Sequence, residues 1–168
     1  MEIRAYRTGD ESGIAALILP IQGQEFGIAI TYDDQPDLRD IPGFYQRGAG
    51  QFWVAVDGGR IVGTISLKDI GGGDAALRKM FVAASHRGAP HRLAGRLLSV
   101  LLDHARTQGL ARVYLGTTAK FLAAHRFYEK SGFSLVTPEE LPPSFPRMAV
   151  DSRFYFLDLG GPLPQVIA

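Results

Sequence analysis

The 168-residue chain contains no cysteine. That excludes disulfides, thiolate zinc sites and a cysteine nucleophile together. No apolar run reaches membrane-spanning length, and the opening MEIRAYRTGDE has none of the marks of a signal peptide. A cytoplasmic protein with no membrane contact is the expectation. Charge of either sign is not in excess: 18 Lys and Arg against 17 Asp and Glu leave a net charge of +1. With no basic stripe interleaved with aromatics, no nucleic-acid partner is expected. His86, His91, His104 and His125 lack metal-ligand spacing, so no metal is expected either. There is no G-x-S-x-G elbow to present a serine nucleophile. No internal repeat and no domain boundary interrupts the chain, and its length suits one domain with a real core.

What is there concentrates between residues 77 and 133. Leu77 to Val82 is an apolar run with two cations embedded in it, a buried strand by pattern. Ser85 to Arg92 is a loop containing Gly88 and Pro90. Leu93, Ala94, Leu97, Leu98, Leu101, Leu102 and Ala105 recur at helical spacing, and Gly109 stops the helix. Val113 to Thr117 reads as a second strand and Ala123 to Lys130 as a second helix. The loop therefore joins a strand to a helix start, where unpaired N–H groups and the helix dipole favour an anion. Arg87, Arg92 and Arg96 cluster there, which points to a ligand carrying several phosphates. The charge distribution agrees. Residues 78 to 130 hold ten of the 18 basic residues and two of the 17 acidic ones, a local balance of +8. Residues 1 to 77 hold six basic and eleven acidic residues, a balance of −5. A basic centre suits an anionic cofactor, and an acidic front suits a cationic amine.

The ordered residues Phe81-Val82, Arg87-Gly88, Ala94 and Leu97-Leu98, followed by Ala124, Phe127-Tyr128-Glu129-Lys130 and Gly132-Phe133, resemble the coenzyme A core of the GNAT superfamily of N-acetyltransferases. The last group, A-x-x-F-Y-E-K-x-G-F, is the most specific. The sequence departs from the family pattern at the phosphate loop, where Ala89, Pro90 and Arg92 replace expected residues and proline donates no N–H. It departs again at Phe121, where the family often has asparagine.

The resemblance implies acetyl-CoA as acyl donor and a primary amine of a small molecule or amino acid as acceptor, joined by direct attack in a ternary complex. A protein or peptide N-acetyltransferase and a non-catalytic acyl-CoA sensor are the alternatives, and a homodimer is a candidate assembly. Cofactor contacts are implied at Met80, Phe81 and Val82, along the loop Arg87, Gly88, Ala89, Pro90, His91, Arg92, Leu93, Ala94, Gly95 and Arg96, and at Thr117, Phe121, Ala124, Phe127 and Tyr128. A backbone N–H near Phe81 or Val82 is implied as oxyanion donor. Tyr128 sits where the family often places its general acid. Glu25, the only acid between Glu11 and Asp33 and set in apolar surroundings, is the expected general base, its pKa raised by desolvation. Asp74 and Asp69 are the runners-up, whereas His125, three residues before Tyr128, reads as a surface or capping histidine rather than a base. The two long irregular stretches, residues 20 to 50 and 137 to 152, are expected to build the acceptor pocket, with Glu25, Phe26 and Arg147 as its substrate-binding residues.

Taken in order, the chain reads β-α-α-β-β-β-α-β-α-β-β: an α/β fold with a mixed sheet of about seven strands and about four helices. The second helix is expected near Asp37 to Tyr45, broken at Pro42-Gly43. Asp57-Gly58-Gly59 reads as a hairpin turn and Gly71-Gly72-Gly73 as a flexible link. By resemblance the central strands splay around the cofactor arm, with Gly116 leaving room. Residues 1 to 160 are expected to form the acetyltransferase domain and residues 161 to 168 a loose tail.

Overall fold

The computed structural model describes residues 1–119 and 121–160; the expected tail at 161–168 lies outside them. Seven strands form one sheet in the order β1-β2-β3-β4-β5-β7-β6. They are β1 (Glu2–Ala5), β2 (Gln51–Asp57), β3 (Arg60–Gly71), β4 (Asp74–Val82), β5 (Arg112–Thr117), β6 (Ser134–Val136) and β7 (Arg153–Asp158). The helices are α1 (Glu11–Pro20), α2 (Pro36–Arg39), α3 (Ile41–Phe44), α4 (Leu93–Thr107) and α5 (Leu122–Lys130). A π-helical turn, Ile21–Glu25, extends α1. The expected order of elements stands. The one helix expected over residues 37 to 45 is two, because Asp40 leaves helical geometry at ψ 69° and its carboxylate caps α3 by accepting the Gly43 N–H at 3.0 Å.

β2 and β3 meet in a two-residue turn with Gly58 at φ 58° and Gly59 at φ 79°, the left-handed pair that a tight hairpin demands. Gly71 to Gly73, expected as a flexible link, instead close a second tight hairpin in which Gly71 pairs with Asp74. The reason is the same: all three glycines take positive φ.

Leu93, Leu97, Leu98, Leu101 and Ala105 of α4 are buried, the stripe expected from their spacing, and they join the largest core cluster with Ala55, Ile65, Leu77, Val113 and Leu115. α4 lies close on the sheet because position 63 has no side chain. A Cβ there would come within 3.0 Å of the Leu93 and Leu97 methyls. Ile14, Leu17 and Ile18 of α1 are buried as expected, and Ile14 and Ile18 help form a second cluster on Tyr45, Phe52 and Val54. Among the described residues no helix is long and apolar enough to cross a membrane.

Candidate active site

Every neighbouring pair of strands is antiparallel except β4 and β5, which run parallel and pair only at Asp74–Arg112, Ala75–Val113 and Ala76–Tyr114. Beyond those three pairs the strands part, and a cavity of about 390 Å³ opens between Leu77–Phe81 on one side and Leu115–Thr117 on the other. The bend in β4 has a local cause. Ser66 pairs with Arg78 and Thr64 with Phe81, so Lys79 and Met80 together face Ile65. Such a bulge turns the strand away from its neighbour. It is pinned by β3: the Thr64 hydroxyl donates to the Lys79 carbonyl and the Ser66 hydroxyl to the Arg78 carbonyl, both at 2.7 Å. Lys79 itself sits at φ 51°. A non-glycine residue held there costs on the order of 1–2 kcal/mol, and such strain gathers at functional sites.

The bulge has a second effect. In a regular strand Arg78 and Lys79 would point to opposite faces. Here both reach one carboxylate, Asp37 of α2, with Nη2 and Nζ at 3.8 and 3.5 Å from its Oδ2. The Tyr45 hydroxyl donates to the same oxygen at 2.6 Å and accepts from Arg78 Nε at 3.1 Å. Lys79 Nζ donates to Gln35 Oε1 at 2.7 Å, and Gln35 exchanges a pair of 3.0 Å amide bonds with Gln22. Arg78 Nη1 donates to the Pro146 carbonyl at 3.3 Å. Burial pushes the Lys79 ammonium below the ordinary lysine range, with Asp37 pulling it back.

Both long irregular stretches reach this cavity. The first supplies Gln22, Ile28, Ala29, Ile30 and Asp34, the second Phe145, Pro146 and Met148 to Asp151. The individual residues expected to bind substrate fall elsewhere. Glu25 is not desolvated: it lies on the surface, where Arg87 Nη1 and Nη2 donate to its two oxygens at 2.8 and 3.1 Å. Phe26 packs edge-on against Phe121 at 4.2 Å, outside the cavity wall. The Arg147 guanidinium stands over the Phe154 ring at 5.2 Å, also off the wall. The other expected bases have structural partners. Asp69 accepts the Ala49 and Gly71 N–H groups, and Asp74 accepts Arg112 Nε. His125, expected at the surface or as a cap, is buried, and its Nε2 bonds the Thr118 carbonyl.

Of the two acids that line the cavity, Asp34 is exposed and Asp151 is the more deeply set. It accepts the Met148 N–H at 2.9 Å, and burial raises its carboxyl above the ordinary range against the pull of that bond and of Arg78, Arg147 and Lys79. Gly116 makes room for it, since a Cβ at 116 would lie 2.6 Å from Asp151 Oδ2. The Tyr128 hydroxyl meets the cavity from α5 and donates to the Met80 sulfur at 3.4 Å. A thioether is a weak acceptor, so the phenolic proton is lightly held. Burial raises the phenol well above its usual value and keeps it protonated. Met80, Phe81, Thr117, Phe121 and Ala124 line the same cavity. The buried Thr117 hydroxyl has no hydrogen-bond partner among the described residues. Phe127 differs: it packs on the core and edge-on to Tyr128 rather than on the cavity wall.

The strand's exposed edge continues into the loop before α4. The Ala83 N–H bonds the Val62 carbonyl of β3, so by alternation the N–H of Val82 turns toward the gap and that of Phe81 away from it. At the helix start the first helical bond runs from the Arg96 N–H to the Arg92 carbonyl, which leaves the N–H groups of Leu93, Ala94 and Gly95 ahead of the ladder. Arg92 and Arg96 are exposed beside them. Arg87 is not with them: besides Glu25, its Nε donates to the Val82 carbonyl at 2.9 Å. Leu93 has its side chain in the core, so only its backbone faces the loop. Gly88, Ala89 and Pro90 are exposed, and the His91 ring packs tilted against that of His86 at 4.4 Å. His86 in turn bridges Ser85 and Asp57, each at 2.7 Å, which fastens the loop to the β2–β3 turn. Among the described residues no group of three or more His, Asp or Glu could hold a metal ion.

The profile of the acetyltransferase (GNAT) family matches residues 18–133, and the chain belongs to that family. An acetyltransferase of the GNAT family from Staphylococcus aureus superposes with a TM-score of 0.90 at 38% identity, over 94% of this chain and 98% of that one. The zebrafish N-acetylaspartate synthetase is 32% identical over 123 residues, 71% of this chain and 43% of the relative. The rat N-acetyltransferase family 8 member 2 is 34% identical over 104 residues, 59% of this chain and 45% of the relative. The chain spans about half the length of the curated relatives it matches.

Proposed function

We propose that residues 1–160 form an acetyltransferase domain that moves an acetyl group from acetyl-CoA to the primary amine of a small molecule, by direct attack within a ternary complex. The observation that carries this reading is the unpaired edge of β4, which leads from the start of α4 to a cavity with Tyr128 in its wall. Bound acetyl-CoA supplies the activated thioester. The N–H groups of Leu93, Ala94 and Gly95, with Arg92 and Arg96, would hold its phosphates at the positive end of a 15-residue helix. The N–H of Val82 would polarise the acyl oxygen, a kind of donor worth about 3 kcal/mol in kcat. The orphaned Thr117 hydroxyl is a polar group that a ligand in the gap satisfies. Tyr128 gives its proton to the departing sulfur. No side-chain nucleophile is needed.

Small acceptors are favoured over protein tails because residues 20 to 50 and 137 to 152 wall the cavity from both sides. Free-thiol release from acetyl-CoA across a panel of amines tests the reading. Turnover that requires an amine is the expected result, and coenzyme A binding without turnover for any amine would overturn it.

A further inference from the structure

Arg78 and Lys79 bring two positive charges to the cavity wall with only 12% and 8% of their side-chain surfaces exposed. Buried cations need compensating anions, and a strand that strains its own backbone to place two of them side by side needs a reason. Asp37, with 5% of its side chain exposed, answers one charge and is the only carboxylate within ion-pair distance of either among the described residues. The donors are not used up. Lys79 Nζ has three N–H bonds and gives one short bond, to Gln35. Arg78 has five, of which one meets the Tyr45 hydroxyl, one the Pro146 carbonyl at 3.3 Å and one only the Met148 sulfur at 3.7 Å. Across the cavity is Asp151, with Gly116 beside it. Asp34 lies further out on an exposed turn, where its carboxylate accepts the Thr31 N–H.

We infer that the acceptor is a zwitterionic amino acid, whose carboxylate binds Arg78 and Lys79 and whose ammonium faces Asp151. The inference rests on the acetyl-transfer reading and narrows its substrate class. The charges match: two cations and Asp37 leave one positive charge for the acceptor carboxylate, and Asp151 leaves one negative charge for the ammonium. The proton inventory also closes. Asp151 takes one proton from the ammonium, freeing the lone pair that forms the C–N bond. The C–S bond breaks, its electron pair goes to sulfur, and Tyr128 protonates that sulfur. The second proton lost by nitrogen restores the phenol, and Asp151 releases its proton to solvent. Burial supports the role of Asp151, because a carboxyl with raised affinity for protons accepts one from an ammonium more readily. The anchor lies on the strand that would hold the thioester, which fixes the amine beside it.

The test compares each of a set of L-amino acids with its amide and with its decarboxylated amine, reading thiol release from acetyl-CoA. These probes change the ligand and leave the protein intact. The expected preference for the acid in kcat/KM is on the order of 100-fold or more, as for a site whose buried polar groups are left unpaired by the wrong substrate. Lys79→Met should erase most of that preference, the ratio of acid to amide kcat/KM falling toward one. Equal turnover of acid, amide and amine by the wild type overturns the inference while leaving acetyl transfer intact. A second arm needs no chemistry: the thermal shift of the coenzyme A-loaded protein with each probe. A shift with the acids alone supports the anion pocket even if nothing is acetylated, in which case the transfer reading falls separately. A shift of equal size with acid and amide, or with neither, overturns the inference.

Discussion

Tyr128→Phe separates packing from chemistry at one atom. The ring lies edge-on to Phe127 and Phe133, at 5.5 and 5.6 Å between centroids, and tilted to Tyr155 at 6.2 Å, contacts that phenylalanine keeps. What is lost is one hydrogen bond to the Met80 sulfur at 3.4 Å. An ordinary intramolecular hydrogen bond contributes about 1 kcal/mol net, and one to a thioether less. Stability should therefore fall by under about 1 kcal/mol, and coenzyme A affinity should hardly change. If the phenol protonates the leaving sulfur, the chemical step should slow by about 10²–10⁴-fold, the range of general acid–base catalysis. The pH profile adds a check. Burial raises the folded-state pKa of Tyr128 above its unfolded value. Its contribution to stability is thus complete below the unfolded value near pH 10 and is lost as pH climbs through the raised folded value. The proton donor should therefore remain loaded across the neutral and mildly alkaline range, with no loss of rate from this group before about pH 10. Rapid-quench single-turnover measurement of thiol release reads the chemical step alone. A Tyr128→Phe protein that transfers acetyl at the wild-type rate there refutes the assignment and leaves Tyr128 as a packing residue.

The loop before α4 gives a matched pair of outcomes. Arg92→Ala and Arg96→Ala should each weaken coenzyme A binding measured by calorimetry, and added salt should narrow the gap from wild type. Glu25→Gln should do the opposite, because it frees the Arg87 guanidinium now held at 2.8 and 3.1 Å and removes a negative charge from the loop; a collapse of kcat instead would restore Glu25 as the base. Asp151→Asn should abolish most turnover while raising the melting temperature at neutral pH. The raised carboxyl means that the folded state favours the uncharged form, so its contribution is present in acid and lost as pH rises through the folded value. A lower melting temperature for Asp151→Asn at neutral pH contradicts that reading.

Regular patterning made most of the frame legible. The leucine stripe of α4, the Gly58-Gly59 hairpin and the succession of elements along the chain follow from local spacing, and each stands in the structure. The place of Tyr128 in the cavity wall was legible because a specific motif surrounds it, and that of Gly116 only through the family resemblance, since a strand glycine on its own reads as a bulge or turn residue. The rest depended on contacts far apart in sequence. Glu25 reads as an isolated acid until Arg87, 62 positions on, is placed beside it. Asp151 lies in a proline-rich loop like any surface acid, and only the close approach of Gly116 marks it. Arg78 and Lys79 were visible as two cations in a buried strand, an anomaly that flags a site. Period-two alternation assigns them to opposite faces, however, and the bulge that unites them arises from hydroxyls on β3.

The proposed reaction is direct transfer from thioester to amine, with no acyl-enzyme between. Intact-mass spectrometry of the protein incubated with acetyl-CoA, followed by thiol and product measurement after an amino acid is added, tests it most directly. The account predicts an unchanged protein mass and negligible thiol release before the amine arrives, then one acetylated amine formed for each thiol released. An acetylated protein that discharges to the amine, or thiol release without acetylated amine, would contradict it.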